Sequence, residues 1–368
     1  MILAAPEASS LLYFLALAAT FAVCVKARSL GEWLKVVAYP DGLRRRHEME
    51  TPQIGGVAIL TAVTIWLTGV LLLGGGGVER QLLSALLFCA VGVGLVGFTD
   101  DQRHISPMSR IALLGVFCGI GATINPGLIT QTLHWASFDP QHISTWAYCG
   151  LTGLAVVGLI NAVNMADGQD GIVGSMFVVW SICLMLITDD ASQHLAGLLL
   201  GASLVFLAFN LSRRLFLGDC GTYGVTFVFA MLAIAAHAKG QVQIETVVVW
   251  FFIPVMDCLR LIISRPLRGR SPLNGDRDHF HHRLEDKVGK KLGLSAYAGA
   301  VASSSLIATL EPKFALLCFT ALAAFYFSFA WLTDASAFAV QETEEKVLTR
   351  HNVVSIPLDG KNRSSNSP

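Results

Sequence analysis

The sequence has little charge. Asp, Glu, Lys and Arg make up 14% of its 368 residues, against about 25% in a soluble domain, while hydrophobic residues make up 54%. This balance excludes an ordinary soluble enzyme or binding module. The eight cysteines occur singly, without a CxxC pair, so they indicate small packing residues rather than a disulfide framework or a metal cluster. The formal net charge is zero, and we expect no nucleic acid among the partners.

Long apolar runs take the place of the missing charge. Runs of roughly 16–21 residues recur along the chain, near the length that crosses ~30 Å of hydrocarbon. The first run has no basic start and no clear small-residue cleavage site, so we expect a helix rather than a signal peptide. The sequence therefore predicts an all-α, polytopic membrane protein with about eleven transmembrane helices. They are expected at 9–27, 54–74, 81–98, 109–124, 146–163, 171–187, 194–211, 222–238, 244–263, 292–309 and 314–332.

Lys and Arg are distributed unevenly between the two sides of the membrane. The loops after odd-numbered spans and the C-terminal tail share one side, and all but three of the 26 Lys and Arg residues fall there or toward the ends of the spans that adjoin that side. The exceptions are Arg80, Lys239 and Lys313. The positive-inside rule makes the basic side the cytoplasm, so we expect the N-terminus outside and the C-terminus inside. We predict a transmembrane domain over 1–332 and a polar cytoplasmic tail over 333–368, with cytoplasmic loops at 28–53, 99–108, 164–170, 212–221 and 264–291.

Five polar segments stand out, and all of them fall in these cytoplasmic loops or at cytoplasmic helix ends. They are YPDGLRRRHEMETPQIGG at 39–56, GFTDDQRHISP at 97–107, NAVNMADGQDGI at 161–172, LFLGDCGTYG at 215–224 and RPLRGRSPLNGDRDHFHHRL at 265–284.

The segment at 161–172 carries a polar stripe. Asn161, Asn164, Asp167 and Asp170 follow one another at a three-residue spacing, which puts them on one face of a helix. A polar stripe is expensive in lipid, so we expect it to face a wet cavity; the alternative is a simple loop cap.

Three further carboxylates belong to the other acidic segments. Asp100 and Asp101 are adjacent at a membrane border, where they repel each other unless a cation, a proton or a basic partner is present; a solvated helix end is the alternative. Asp219 lies among glycines at the start of a span, where helix-terminal amides can meet a phosphate. A GDxG match is weak by itself.

Two segments are basic. Arg44, Arg45 and Arg46 lie beside the bilayer, as is typical of contact with anionic lipid. The segment at 265–284 obeys the positive-inside rule, which explains its arginines but not three histidines in four positions. The candidates there are Arg277, His279, His281 and His282.

Together these residue types indicate phosphoryl transfer. Carboxylates on one face suit Mg²⁺, with Mn²⁺ as an alternative, and Mg²⁺ typically uses one or two of them plus substrate phosphates. Arginine and histidine can bind phosphate oxygens and spread transition-state charge. Because the site lies at the membrane surface, one substrate can be a lipid phosphate and the other a soluble nucleotide.

The order TDDxR, NxxNxxDGxDG, GDxG and DRxHxHH, with RRxH–P–GG near the start, resembles the polyprenyl-phosphate N-acetylhexosamine-1-phosphate transferases. The resemblance runs from about residue 39 to about residue 284. It implies transfer of a sugar 1-phosphate from a UDP-sugar to undecaprenyl phosphate, with release of UMP and with Mg²⁺, at the cytoplasmic face of a bacterial inner membrane. It leaves a homodimer open.

The resemblance also implies roles for matching positions. Asp100 and Asp101 would lie near the lipid phosphate, and one of them could act as a base. Asp167, Asp170 and Asp219 would serve the metal and the nucleotide sugar, with Asn161 and Asn164 beside them. Arg44–Arg46 would bind the lipid phosphate, and Arg277, His279, His281 and His282 the sugar nucleotide, with His281 in a catalytic role.

The chain departs from the family pattern at Gly42, where many members have Asn, and at Arg45, where Lys is usual. The DRDHFHH form is similar to the N-acetylglucosamine branch rather than to the branch that uses the muramyl-pentapeptide nucleotide. That second branch is one alternative. The others are a secondary transporter, which predicts essential groups on both faces of the membrane, and an inactive lipid-binding scaffold.

Overall fold

The protein is almost entirely helical. A computed structural model describes residues 6–39, 50–74, 78–124, 145–269, 271 and 278–333. One compact unit runs to Ala323 and a second begins at Ala324; every contact reported below lies within the first. The helices are α1 Pro6–Val25, α2 Ala27–Leu34, α3 Gly55–Leu73, α4 Val78–Arg103, α5 Pro107–Ile124, α6 Thr145–Ala166, α7 Ile172–Ile187, α8 Asp190–Leu211, α9 Gly218–Ala238, α10 Ile244–Leu267, α11 Phe280–Val288, α12 Lys290–Leu310 and α13 Pro312–Thr333.

Each of the eleven predicted spans corresponds to a helix. Nine helices within the described ranges are long and apolar enough to cross a membrane. The first predicted span is part of a bent pair, because α2 leaves α1 at an angle of 75°. The sixth, α7, has only 16 residues. The prediction of an all-α polytopic membrane protein is confirmed, while the orientation and the polar tail from residue 333 stay predictions.

Helix α9 forms the centre of the bundle. It is buried along almost its whole length and packs against α3, α4, α6 and α7. Small residues allow this close packing, as they do in other membrane helices. A Cβ placed on Gly56 of α3 would lie 2.0 Å from the backbone nitrogen of Gly221, and one on Gly97 of α4 would lie 2.2 Å from the carbonyl oxygen of Asp219. The start of α9 is therefore held directly against two neighbouring helix backbones.

A short β-ladder, absent from the sequence prediction, lies beside this helix start. Strands β1 Val37–Ala38 and β2 Thr51–Pro52 pair antiparallel, with Ala38 opposite Thr51. The chain after β2 then pairs with the segment that leads into α9. Gly55 and Gly56 donate backbone hydrogen bonds to the carbonyls of Phe216 (2.9 Å) and Leu217 (2.7 Å). This contact joins two of the five polar segments.

Candidate active site

The site is built around the N-terminus of α9. Gly218 adopts a positive φ of 75°, which turns the chain into the helix. The next two backbone amides are bound by Asp101 of α4: Asp219 N donates to Oδ1 (2.9 Å) and Cys220 N to Oδ2 (3.0 Å). A carboxylate at this position accepts hydrogen bonds from amides that have no partner within the helix. Its negative charge also interacts favourably with the positive end of the helix dipole. Asp101 therefore acts as the cap of α9.

The neighbouring Asp100 is buried and makes a different set of bonds. Its Oδ1 accepts the backbone amide of Ile105 (2.7 Å). Its Oδ2 accepts Tyr223 Oη (2.7 Å) and Arg110 Nη1 (3.1 Å). Arg110 Nη1 also donates to Tyr223 Oη (2.7 Å). The predicted repulsion between the paired aspartates is thus met by a basic partner on one side and by helix amides on the other.

The carboxylate of Asp219 is oriented by Asn164 of α6. The Asn164 amide donates to Asp219 Oδ1 (2.6 Å) and to Thr222 Oγ1 (3.1 Å). Asn161, one turn earlier on α6, instead donates to the carbonyl of Val157 (2.9 Å) on its own helix. Of the two candidate asparagines, only Asn164 is hydrogen-bonded to an acidic residue of the site among the described contacts.

The turn between α6 and α7 brings two more carboxylates to the same place. The pKa of Asp167 is raised to about 7, first by burial and then by the nearby negative charges of Asp219 and Asp170. Asp170 is held by Lys290 Nζ at 2.7 Å, with Arg213 at 3.8 Å. Asp170 is therefore already in an ion pair, whereas the electrostatic neighbours that shift Asp167 are both acidic.

The histidine segment packs onto this turn. A Cβ on Gly168 would lie 2.4 Å from His281 Nε2 and 3.0 Å from His282 Nε2, so only glycine leaves room for the imidazoles. The rings of His281 and His282 are 4.2 Å apart, and His279 stacks on His281 at 5.5 Å. All three histidines are buried. The acidic turn and the histidine motif form one wall of the site.

The described residues would hold a divalent cation only together with a bound substrate. No group of three or more His, Cys, Asp or Glu side chains within the described ranges has a geometry that would hold a metal ion by itself. Asp167 and Asp219 nevertheless form an acidic pair, and Mg²⁺ is usually bound by one or two carboxylates together with substrate phosphates. The donor set suits a cation that arrives with a phosphorylated substrate.

The structure thus joins described parts of all five polar segments, four through side chains and the segment at 39–56 through its backbone. Of the basic segment at 39–56, the described part pairs with the α9 lead-in, while Arg44, Arg45 and Arg46 lie outside the described residues, as does Arg277. Sequence reasoning missed the partners of the acidic groups. They are Arg110, Tyr223 and Lys290. It also missed that Asp257 is bonded to His279; the available signal was an acid well inside an apolar run of the sequence.

Fold and site together define a polytopic membrane protein with an acidic, histidine-lined site between helix ends. The model of the family described as glycosyl transferase family 4 matches residues 83–237, a region that contains Asp100, Asp101, Asp167 and Asp219. This match confirms the resemblance drawn from the motifs.

Three curated relatives are similar over most of the chain. The undecaprenyl-phosphate alpha-N-acetylglucosaminyl 1-phosphate transferase of Escherichia coli (strain K12) is 26% identical over 271 residues, covering 70% of this chain and 71% of the relative. The decaprenyl-phosphate N-acetylglucosaminephosphotransferase of Mycobacterium leprae is 27% identical over 286 residues, covering 69% and 71%. The phospho-N-acetylmuramoyl-pentapeptide-transferase of Bacillus pumilus is 25% identical over 248 residues, covering 64% and 75%.

Proposed function

We propose that this protein transfers N-acetylglucosamine 1-phosphate, or a related N-acetylhexosamine 1-phosphate, from a UDP-sugar to undecaprenyl phosphate and releases UMP. The observation that carries the proposal is the closeness of Asp167 to Asp219 at the start of α9, with the histidine pair His281–His282 packed on the turn that carries Asp167. The names of two relatives, which include a polyprenyl phosphate and N-acetylglucosamine, support this choice of substrates.

The reaction is a single displacement. An oxygen of the lipid phosphate attacks the β-phosphorus of the UDP-sugar, and the bond from that phosphorus to the bridging oxygen of UMP breaks. A phosphate whose second pKa is ~6 is already largely ionised near neutral pH, so a strong base is unnecessary. Asp100 and Asp101 are both engaged in hydrogen bonds, which favours a role in holding the site rather than in removing a proton.

Asp167 and Asp219 are the residues that would hold Mg²⁺. When bound, this cation would neutralise charge on the pyrophosphate, as in other phosphoryl transfers. Asn164 fixes one oxygen of Asp219 and so limits the orientations available to its carboxylate. Asp170, which Lys290 already neutralises, would hold the turn in place and not contact the cation.

The two substrates would use different segments. The imidazoles beside Gly168 can donate hydrogen bonds to the phosphates of the UDP-sugar. Arg44–Arg46 would bind the lipid phosphate, on the cytoplasmic face of a bacterial inner membrane. In this arrangement the protein contributes mainly positioning and charge stabilisation.

Purified full-length protein in detergent with undecaprenyl phosphate and Mg²⁺ provides the test. We expect UMP release from UDP-N-acetylglucosamine to exceed release from the UDP-muramyl-pentapeptide, to require the lipid phosphate and to stop on addition of EDTA. Preference for the pentapeptide nucleotide would select the alternative branch. The proposal fails if no UDP-sugar yields UMP, or if UMP appears equally without the lipid phosphate.

A further inference from the structure

An ion-pair network joins α10 to the histidine segment. Asp257, buried within α10, binds three groups. Its Oδ2 lies 3.0 Å from His279 Nδ1, and its Oδ1 accepts the Phe280 backbone amide (3.1 Å) and Arg260 Nη2 (2.9 Å). Phe280 is the first residue of α11, the helix that carries His281 and His282. One carboxylate therefore contacts both the start of this helix and the ring of the histidine that precedes it.

The contact with His279 defines the proton position on the ring. A carboxylate paired with Arg260 is ionised and can only accept hydrogen bonds. His279 Nδ1 must then be the donor, which leaves Nε2 as the nitrogen that can meet a ligand. In other sites, a carboxylate that binds one imidazole nitrogen fixes both the tautomer and the ring orientation.

Asp278 is a second carboxylate in the same network. It holds the histidine segment in place through arginines in the described contacts. Asp278 pairs with Arg268 (3.1 Å), with Arg283 through its Nε (2.7 Å) and with Arg260 (3.5 Å). Asp257 and Asp278 therefore share Arg260, and in the described contacts it is Asp257 that is bonded to His279. This difference separates tethering of the segment from orientation of the ring.

We propose that Asp257 is a positioning residue that acts through His279, holding its Nδ1 protonated and presenting Nε2 to the site. His279 stacks on His281, so the orientation of one ring constrains the next. The consequence for turnover rests on the proposed function, whereas the tautomer of His279 does not.

Kinetics of Asp257→Asn test the proposal. The amide keeps the side-chain shape and one acceptor, but its NH₂ group can face His279 and favour the opposite tautomer. We expect kcat/KM for the UDP-sugar to fall roughly 10- to 100-fold, and KM for undecaprenyl phosphate to change by less than about twofold. In a His279→Ala background the same substitution should cost nothing further, because the two residues act as a unit.

Asp278→Asn is the matched control, since it removes a carboxylate from the same network. We expect it to retain activity within about threefold of the parent protein. Equal losses in the two variants, or additive losses of Asp257→Asn and His279→Ala, would reduce Asp257 to a tether and overturn the proposal.

A spectroscopic measurement tests the tautomer of His279 independently of enzyme activity. In ¹⁵N-histidine-labelled protein, the signal lost in His279→Gln identifies His279, and its ring shifts distinguish Nδ1–H from Nε2–H. We expect Nδ1–H in the parent protein and Nε2–H in Asp257→Asn. An Nε2–H ring in the parent protein would overturn the proposal even where the variant fails to fold. Absence of UMP release, with Nδ1–H present, would count against the proposed function alone.

Discussion

The two adjacent aspartates at the end of α4 have separate tasks. Asp100 is bound by Tyr223 and Arg110, while both oxygens of Asp101 are occupied by amides of α9. The sequence predicted the pair as a candidate catalytic unit. It could not show the division, because the partners lie more than a hundred residues away along the chain for three of these four bonds.

Asp101→Asn tests the capping role. The amide retains one acceptor but loses the charge and the second acceptor, so the free energy of unfolding should fall by about 1 kcal/mol, the usual cost of losing a helix cap. We expect a lower Tm in detergent together with reduced turnover. A base that takes a proton from the lipid phosphate would give the opposite pattern, with turnover lost and Tm unchanged.

Asp219→Asn tests the proposed cation site. Asparagine keeps the volume and can still accept from Asn164, but it removes one of the two carboxylates that would face the cation. We expect UMP release to fall by about 100-fold or more across an Mg²⁺ titration, the scale of losing one strong electrostatic contact in a transition state. Asp189→Asn is the control. Asp189 is an exposed carboxylate that accepts a hydrogen bond from Gln241, and it lies between the end of α7 and the start of α8, outside the site. Normal turnover by Asp219→Asn at ordinary Mg²⁺ would remove this residue from the cation site.

Arg45 and His281 should differ in the substrate that they affect. Arg45→Ala deletes a guanidinium from the basic segment, so the apparent KM for undecaprenyl phosphate should rise while that for the UDP-sugar stays nearly constant. His281→Ala should weaken the UDP-sugar side and lower kcat if the ring contacts developing charge. Arg45→Lys should recover most of the activity, since charge is the main requirement. The assignment fails if Arg45→Ala impairs the UDP-sugar while saturation by the lipid is unaffected.

At the scale of the elements, the approach of α3 to α9 sets the position of the site. Gly56→Ala would place a Cβ 2.0 Å from Gly221 N, so the helices must move apart. Overpacking of this kind costs about 1–3 kcal/mol, and here it would also displace the start of α9. We expect a lower Tm and reduced turnover. Gly115→Ala in α5 is the control, since a Cβ there meets nothing within 4 Å; helix propensity alone should leave that variant as stable as the parent or slightly more stable.

Helix positions were predictable because apolar length is a local property of the chain. Each predicted span has its helix. The resemblance associated Asn164 with Asp219, and in the structure these two side chains are hydrogen-bonded. The β1–β2 ladder, the bend after α1 and the short α11 depend on contacts between distant segments, such as Gly55 with Phe216. For the same reason, the position of Asp257 inside an apolar run does not by itself show that this residue contacts His279.

For the whole molecule, the Lys and Arg distribution predicts which end of the bundle faces the cytoplasm. A reporter fused after Asp190 should be found outside, and one fused after Arg270 inside. Alkaline phosphatase and green fluorescent protein fusions at both positions give complementary signals. Detection of both fusion points on the same side would overturn the topology and the shared face of the five segments.

The 75° bend between α1 and α2 bears on the depth in the membrane at which the basic segment at 39–56 begins. If α1 crosses the membrane as predicted, so sharp a turn would place α2 along the bilayer surface. Trp33 of α2 is 78% exposed, and Arg28 and Lys35 flank it; an aromatic ring among basic residues is typical of an anchor at the headgroup level. Strand β1 follows directly, and its pairing with β2 brings Thr51 back beside Ala38. With α2 at the bilayer surface, the basic segment would begin and end at the headgroup level, and a lipid phosphate would reach it by lateral diffusion within its own leaflet.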